Sequence, residues 1–206
     1  MSMAMQRVSC QALLLAFVLC TARLAWAVGD CFPEEVISEN AFPAVVIETS
    51  LGEFTIELNR LRAPVAANNF LHYVLAGHYD GTLFHRVMPG FVVQGGGYTE
   101  TFEERPVRAP IINESGNGLQ NSPMSVAMAR YDDPHSATSQ FYINLAANTS
   151  LDPGSKNWGY AVFAQVIAGQ EVIEAIASVP THYEPGLDAE NVPVQAVKII
   201  RAYVAE

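Results

Sequence analysis

Leu83-Phe84-His85-Arg86-Val87-Met88-Pro89-Gly90-Phe91-Val92-Val93-Gln94-Gly95-Gly96-Gly97 is the stretch on which the reading of this chain turns. It alternates as a strand does, with Phe84, Arg86 and Met88 expected on one face and His85 and Val87 on the other. Pro89-Gly90 then turns the chain. Phe91-Val92-Val93 opens a second short strand, Gln94 ends it, and three glycines leave it. An arginine among apolar residues is costly to bury unless its charge is used. Its ordinary uses are pairing with a carboxylate from elsewhere, or laying its stem along a strand end with the head in water.

The rest of the chain narrows the setting. Its 206 residues suit one domain with extensions, and half of them are hydrophobic, enough for a sizeable core. The net charge of −10 argues against a nucleic-acid partner, which would require a basic face. Residues 1–27 have the form of a secretory signal peptide. Arg7 is the positive start, Ala12 to Cys20 the apolar stretch, and Ala25-Trp26-Ala27 the A-x-A cleavage site. The apolar run is too short to span a bilayer. Losing Arg7 and Arg23 leaves 9 basic residues against 21 acidic ones, a mature charge of −12. Cys10 and Cys20 leave with the leader, so Cys31 has no internal partner for a disulfide.

Residues 28–42 read as an N-terminal arm, the stretch Gly29 to Pro43 carrying two prolines and mixed polarity. Val45 to Thr49 and Phe54 to Leu58 are β-rich runs, joined as a hairpin through Ser50 to Glu53. Pro64 fits the first position of a helix and Gly77 its end. On that helix Ala66, Phe70, Tyr73 and Val74 form the apolar side, with Val65, Asn69, His72 and Ala76 on another. Tyr98 to Ser122 reads as loop. Met124 to Ala129, Gln140 to Leu145 and Ala161 to Ile167 read as strands. Gly169 opens a second helix with Val172, Ile173, Ile176 and Ala177 as its apolar residues. Thr181 to Pro193 reads as loop, and Val194 to Val204 as a closing strand. Many short strands with two helices point to an antiparallel barrel, because closure removes exposed edges.

The order Phe-His-Arg-Val, Pro-Gly-Phe, Val-Gln-Gly-Gly resembles the signature of the cyclophilins, the cyclosporin-binding family of peptidyl-prolyl cis-trans isomerases. Two further blocks share the resemblance. One is Ser125-Val126-Ala127-Met128-Ala129-Arg130 followed by Ser139-Gln140-Phe141-Tyr142-Ile143. The other is Leu151-Asp152 followed by Gly159-Tyr160-Ala161-Val162-Phe163. The match covers about Pro43 to Val204 and looks closest to the bacterial periplasmic branch. It implies an all-β fold, a closed eight-stranded antiparallel barrel with a helix over each open end, occupying residues 43–206. By the same resemblance Arg86 corresponds to the catalytic arginine, and Phe91, Tyr142 and Leu151 to the proline pocket. Gln94 and Gln140 correspond to amides that bind substrate backbone and hold the arginine. Ala129 and Arg130 correspond to an edge that pairs with substrate, and Tyr160 to a position often occupied by His. Singly, each apolar residue reads as core and each glutamine as a structural amide; the functional reading rests on their joint order.

The implied chemistry suits these residue types. Resonance opposes rotation of an X-Pro amide by about 18–20 kcal/mol. Twisting localises a lone pair on the proline nitrogen. A fixed donor there is worth more in the twisted state than in the planar one. Arg86 is always charged and rigidly forked, and so suits the task. The planar amide is also the more charge-separated, so an apolar pocket disfavours the ground state. No cofactor or metal is called for. The expected partners are proline-containing unfolded or flexible polypeptides, met by a monomer that is secreted across the inner membrane, periplasmic, and off the membrane once the leader is cut. A eukaryotic secretory-pathway member shares the leader.

Other sites find little support. His72 and His78 lack the H-E-x-x-H spacing of a zinc site, no G-x-S-x-G elbow accompanies the serines, and Gly95-Gly96-Gly97 lacks the lysine of a phosphate loop. A reading from another class is a barrel that binds proline segments, or acts as a chaperone, without useful turnover. Three residues depart from the commonest family pattern. Tyr142 replaces Phe, Arg130 replaces Asn, and Ser150 stands where many members carry Trp. The last leads to an expectation of weak cyclosporin binding.

Overall fold

The computed structural model describes residues 40–205, so the leader, Cys31 and nearly all of the arm lie outside the described residues. Ten strands and two α-helices follow in chain order. They are β1 Ala44–Thr49, β2 Gly52–Leu58, α1 Pro64–Leu75, β3 Arg86–Met88, β4 Val92–Gly95, β5 Ser125–Met128, β6 Phe141–Asn144, β7 Val162–Ala168, α2 Gln170–Ala177, β8 Thr181–Glu184, β9 Ala189–Pro193 and β10 Ile199–Val204. No helix among the described residues is long and apolar enough to cross a membrane.

Eight strands form one antiparallel sheet in the order β10-β1-β2-β7-β5-β6-β4-β3. The expected closed barrel is corrected here: the sheet curls into an open half-barrel, and its end strands share no ladder. The reason is the length of the β3 edge, three residues stopped by the Pro89-Gly90 turn, where Phe91 N–H bonds to Met88 O at 3.0 Å. The seam is held by a lone bridge between Leu83 and Lys198, with Phe84 N–H on Val197 O at 2.9 Å and Ile199 N–H on Thr82 O at 2.8 Å.

Other boundaries move for local reasons. The first hairpin turns through Ser50 and Leu51 alone, because Gly52 and Glu53 pair with Thr49 and Glu48. The closing strand begins at Ile199, five residues later than its sequence suggests. The segment read as loop at 181–193 is a separate hairpin, β8 with β9. Pro185 and Gly186 mask it in sequence, but they mark its turn. Asp188 and Asn191 adopt positive φ of 49° and 64°, which their short polar side chains tolerate.

Helix α1 begins at Pro64 as its sequence predicts. No acid lies in its own first turn; instead the Glu114 carboxylate accepts Val65 N–H at 3.1 Å and Ala66 N–H at 2.8 Å. A negative charge thus meets two unsatisfied donors at the positive end of the helix. The helix ends on Gly77 at φ 64°, with Gly77 N–H on Val74 O and His78 N–H on Tyr73 O, the paired bonds of a Schellman motif. Phe70 centres the core, 5.0 Å from the Tyr79 ring, 5.4 Å from Phe141 and 5.2 Å from Phe163. Asn69 is buried as well, with its amide donating to Thr138 O at 2.6 Å, so the polar side of the helix is narrower than its sequence suggests. Helix α2 packs on β2, β3 and β4 through Val172, Ile173 and Ile176. It is entered at Gly169, where a Cβ would lie 2.4 Å from Glu53 O.

Candidate active site

The strand registers build the site. Arg86 on β3 lies opposite Gln94 on β4, Gln94 opposite Tyr142 on β6, and Tyr142 opposite Ala127 on β5. Residues directly opposite one another share a sheet face. Four strands drawn from distant parts of the chain therefore present one row. Phe84 leaves the expected alternation because regular pairing starts only at Arg86. Its ring enters the core, 6.3 Å from Phe54 and 6.0 Å from Phe141.

Within the row Arg86 Nη1 donates to Gln94 Oε1 at 3.2 Å, and Gln94 Nε2 donates to Gln140 Oε1 at 3.0 Å. Gln140 is laid over Gly97, where a Cβ would approach its Cγ to 2.6 Å. Only glycine lets the amide chain lie flat at that point. Arg86 is half-buried, and among the described residues no carboxylate lies within ion-pairing distance of it. The guanidinium is oriented by a neutral group and keeps its full charge.

Beside it lies a cavity of about 230 Å³ lined by Arg86, Phe91, Val92, Gln94, Ala129, Arg130, Tyr142, Leu151 and Tyr160. Eight of the nine residues singled out in the sequence meet there, and Val92 joins them. The ninth, Gln140, lines an adjoining hollow of about 60 Å³ with Gln94, Ala129 and Arg130. Val92, Ala127, Tyr142 and Val162 form the buried floor, against which Phe91, Leu151 and Tyr160 pack.

Tyr142 turns its hydroxyl away from the cavity and donates it to Asn121 Oδ1 at 2.8 Å. Burial holds the phenol well above its usual pKa, so it stays protonated. Asn121 is a hub. Its Oδ1 also accepts Asn144 Nδ2 at 3.1 Å, while its backbone N and Nδ2 both donate to Asp152 Oδ1, at 2.8 and 2.9 Å. Asn148 Nδ2 reaches Asn144 Oδ1 at 2.7 Å and Phe91 O at 2.9 Å. This network ties three walls of the cavity together, and the sequence reading missed it. One signal was available: Asn144 ends the apolar run Phe141-Tyr142-Ile143, and a polar residue in a buried strand requires partners.

The Arg130 charge is fixed rather than loose. Its Nε donates to Gly159 O at 3.1 Å, its Nη1 to Tyr131 O at 2.7 Å, and its guanidinium lies 4.5 Å over the Tyr160 ring, a cation–π contact. Tyr160 in turn stands edge-on to Tyr142 at 5.8 Å. His85 lies apart, in a separate cavity with Phe102 and His182, its ring 4.8 Å from Tyr98. Burial lowers its pKa to about 4, leaving it neutral. Among the described residues no group of three or more His, Cys, Asp or Glu could hold a metal ion.

Comparison with known proteins identifies the family. The sequence model of the family described as cyclophilin type peptidyl-prolyl cis-trans isomerase/CLD matches residues 44–204. The chain is 49% identical over 163 residues to peptidyl-prolyl cis-trans isomerase cyp18 of Streptomyces antibioticus, covering 78% of this chain and 97% of that one. It is 44% identical to peptidyl-prolyl cis-trans isomerase A of Dickeya dadantii, over 76% of this chain and 84% of that protein. A crystal structure of a Cryptosporidium parvum cyclophilin type isomerase superposes with a TM-score of 0.65 at 24% identity, over 80% of this chain and 98% of that one. The chain belongs to the cyclophilin-type peptidyl-prolyl cis-trans isomerases.

The Asn121 hub makes a graded prediction. Asn121→Ala strands the buried Tyr142 hydroxyl, while Asp152 Oδ1 keeps the backbone N–H of residue 121, and should cost about 1–3 kcal/mol of stability for the buried group left unsatisfied. Tyr142→Phe leaves Asn121 Oδ1 bonded to Asn144 and should cost only about 0.5–1.5 kcal/mol. Urea unfolding of both variants measures the difference. A smaller loss for Asn121→Ala than for Tyr142→Phe would show that Asn121 is not the hub.

Proposed function

We propose that this isomerase binds an X-Pro segment with the proline in the cavity floored by Tyr142, and that Arg86 stabilises the twisted amide. The observation that supports this best is the Arg86-Gln94-Gln140 chain at the rim of an apolar cavity. Gln94 aims the guanidinium without neutralising it. Phe91, Leu151 and the Tyr142 ring take the pyrrolidine, and the half-buried edge at Ala129 and Arg130 pairs with substrate backbone. As the C–N bond twists, the proline nitrogen gains a lone pair, and the Arg86 N–H donates to it. No bond is made or broken, and no proton leaves the enzyme. The fold relative from C. parvum has also been solved in the presence of the dipeptide Ala-Pro.

Arg86→Ala should remove most of the activity on a proline peptide and leave the thermal transition near wild type, because Arg86 has one side-chain partner and no ion pair. The fall should appear in kcat/KM more than in peptide affinity, since the donor acts in the twisted state. Equal turnover by mutant and wild type in a peptidyl-prolyl assay would remove the mechanism. A wild type that binds the peptide without turnover would support the binding-module reading instead.

The site of action proposed is outside the inner membrane, in the periplasm, with exported proteins as substrates and a monomeric enzyme of residues 43–206 behind a short arm. The support is the form of residues 1–27 together with the resemblance to bacterial relatives. Exported protein should begin at Val28 by intact-mass measurement; retention of residues 1–27 would overturn this.

Weak cyclosporin binding is proposed on the local structure at Ser150. That residue is exposed, and its carbonyl accepts Asn157 Nδ2 at 3.2 Å. It offers neither the flat surface nor the indole N–H of the Trp found there in many relatives. An aromatic anchor is worth about 2 kcal/mol or more, or roughly thirtyfold in affinity. Ser150→Trp should therefore tighten cyclosporin more than about tenfold while changing kcat/KM for a short peptide much less. Calorimetric titration is the check, and nanomolar binding by wild type would contradict it.

A further inference from the structure

The loop that supplies Leu151 and Tyr160 to the proline cavity has a second concave side. Its ends are closed by Tyr160 N–H on Leu151 O at 2.9 Å, and its tip by Gly154 N–H on Asn157 O at 2.9 Å. Beyond it lies an open hollow of about 620 Å³, whose lining includes Asn113, Pro153, Lys156 and Trp158. Trp158 is 58% exposed. Its backbone is nevertheless pinned: Ser115 Oγ donates to Trp158 O, Asn113 Nδ2 to Gly159 O at 3.0 Å, and Gly159 N–H to Asn157 Oδ1 at 2.9 Å. The ring stands edge-on to His135 at 5.1 Å. A large aromatic held in place yet open to water is a pre-organised anchor.

Charge points the same way. The chain has two lysines and a net charge of −10. Lys198 pairs with Glu100 at 2.6 Å. Lys156 is exposed and has no carboxylate partner among the described residues. Arg86 and Arg130 also donate only to neutral oxygens. The nearby acids have other roles: Asp152 holds Asn121, and Asp133 Oδ1 accepts His135 N–H at 2.8 Å. An acidic protein thus leaves three cations unneutralised along the proline cavity and the loop that continues it.

We propose that the Lys156–Trp158 hollow is an outer subsite of the isomerase. It takes a segment of the substrate polypeptide flanking the proline, one that carries a carboxylate for Lys156 beside an apolar side chain for Trp158. The two concavities share one loop, so a chain leaving the proline cavity over Leu151 or Tyr160 meets this hollow next. The proposal rests on the reading of the Arg86 cavity as the proline site. It adds a preference for acidic, apolar flanks to a pocket that itself reads little beyond the proline.

The test compares peptides with one Ala-Pro core, extended on either side and bearing Glu-Leu or Lys-Leu a few residues from the proline. Exchange NMR gives kcat/KM for each, and a tetrapeptide with the same core serves as reference. Wild type should favour the Glu peptide by about threefold to fivefold at low salt, the scale of an exposed ion pair. The preference should shrink as salt is raised. Lys156→Glu should abolish or reverse it. Trp158→Ala should lower the rate on the extended Glu-Leu peptide relative to the tetrapeptide by about tenfold or more. A Glu-to-Lys ratio unchanged by Lys156→Glu would overturn the subsite, as would a Trp158→Ala loss equal on long and short peptides. If wild type does not turn over the tetrapeptide, the proline-site reading fails instead, so the two failures are distinguishable.

Discussion

The hydrogen bond from Arg86 to Gln94 is the contact on which the rest of the site depends. A carboxylate in the same place would orient the arginine too, but would spend its charge on an ion pair. The Gln94 oxygen aims the guanidinium and leaves its charge outside any ion pair, as the proposed mechanism requires. That choice has structural costs. Gln94 has to be fixed in turn, which Gln140 does at 3.0 Å, and Gln140 needs the bare backbone of Gly97 beneath it. Both bonds also require the registers of β3, β4 and β6 to hold, because a slip of one residue would send every side chain in the row to the other face.

The core secures those registers from behind. Phe141 on β6 meets Phe70, Tyr79 and Phe84, while its neighbour Tyr142 faces the cavity. Alternation along one short strand thus joins the fold's centre to its site. The open seam between β3 and β10 lies at the Arg86 edge of the sheet. Bridging at Leu83, Phe84 and Thr82 stops just before Arg86, so that residue has its ladder partner in Gln94 alone.

Much of this was legible in the chain. Period-two runs and turn residues located seven of the sheet strands within a few residues, and Pro64 and Gly77 bounded α1. The order of Arg86, Phe91, Gln94, Gln140, Tyr142 and Tyr160 resembled a known family closely enough to name the candidate site. What stayed hidden was long-range. Glu114 caps a helix 49 residues upstream, and no local pattern announces that. The β8–β9 hairpin reads as loop because its turn residues outweigh its short strands. The barrel reads as closed because strand number suggests closure, whereas the length of β3 decides it. Asn121 lies in a glycine- and asparagine-rich stretch where its partners at Tyr142 and Asp152 could not be guessed.

The Tyr142 hydroxyl shows how packing reconciles a polar substitution with an apolar task. A hydroxyl pointing into the cavity could donate to a bound amide oxygen. It would then, in the proposed mechanism, favour the planar, charge-separated amide and raise the barrier to its rotation. Turned to Asn121 Oδ1, the hydroxyl has a full partner, and the ring is left to face the cavity. The same bond joins the floor of the cavity to Asp152, beside Leu151, so the extra oxygen stiffens the wall instead of wetting the pocket. Arg130 follows the same logic, its charge laid over Tyr160 and its donors on backbone oxygens. Polarity is thus kept off the cavity floor and concentrated at Arg86, where the proposed mechanism places the donor to the twisted nitrogen.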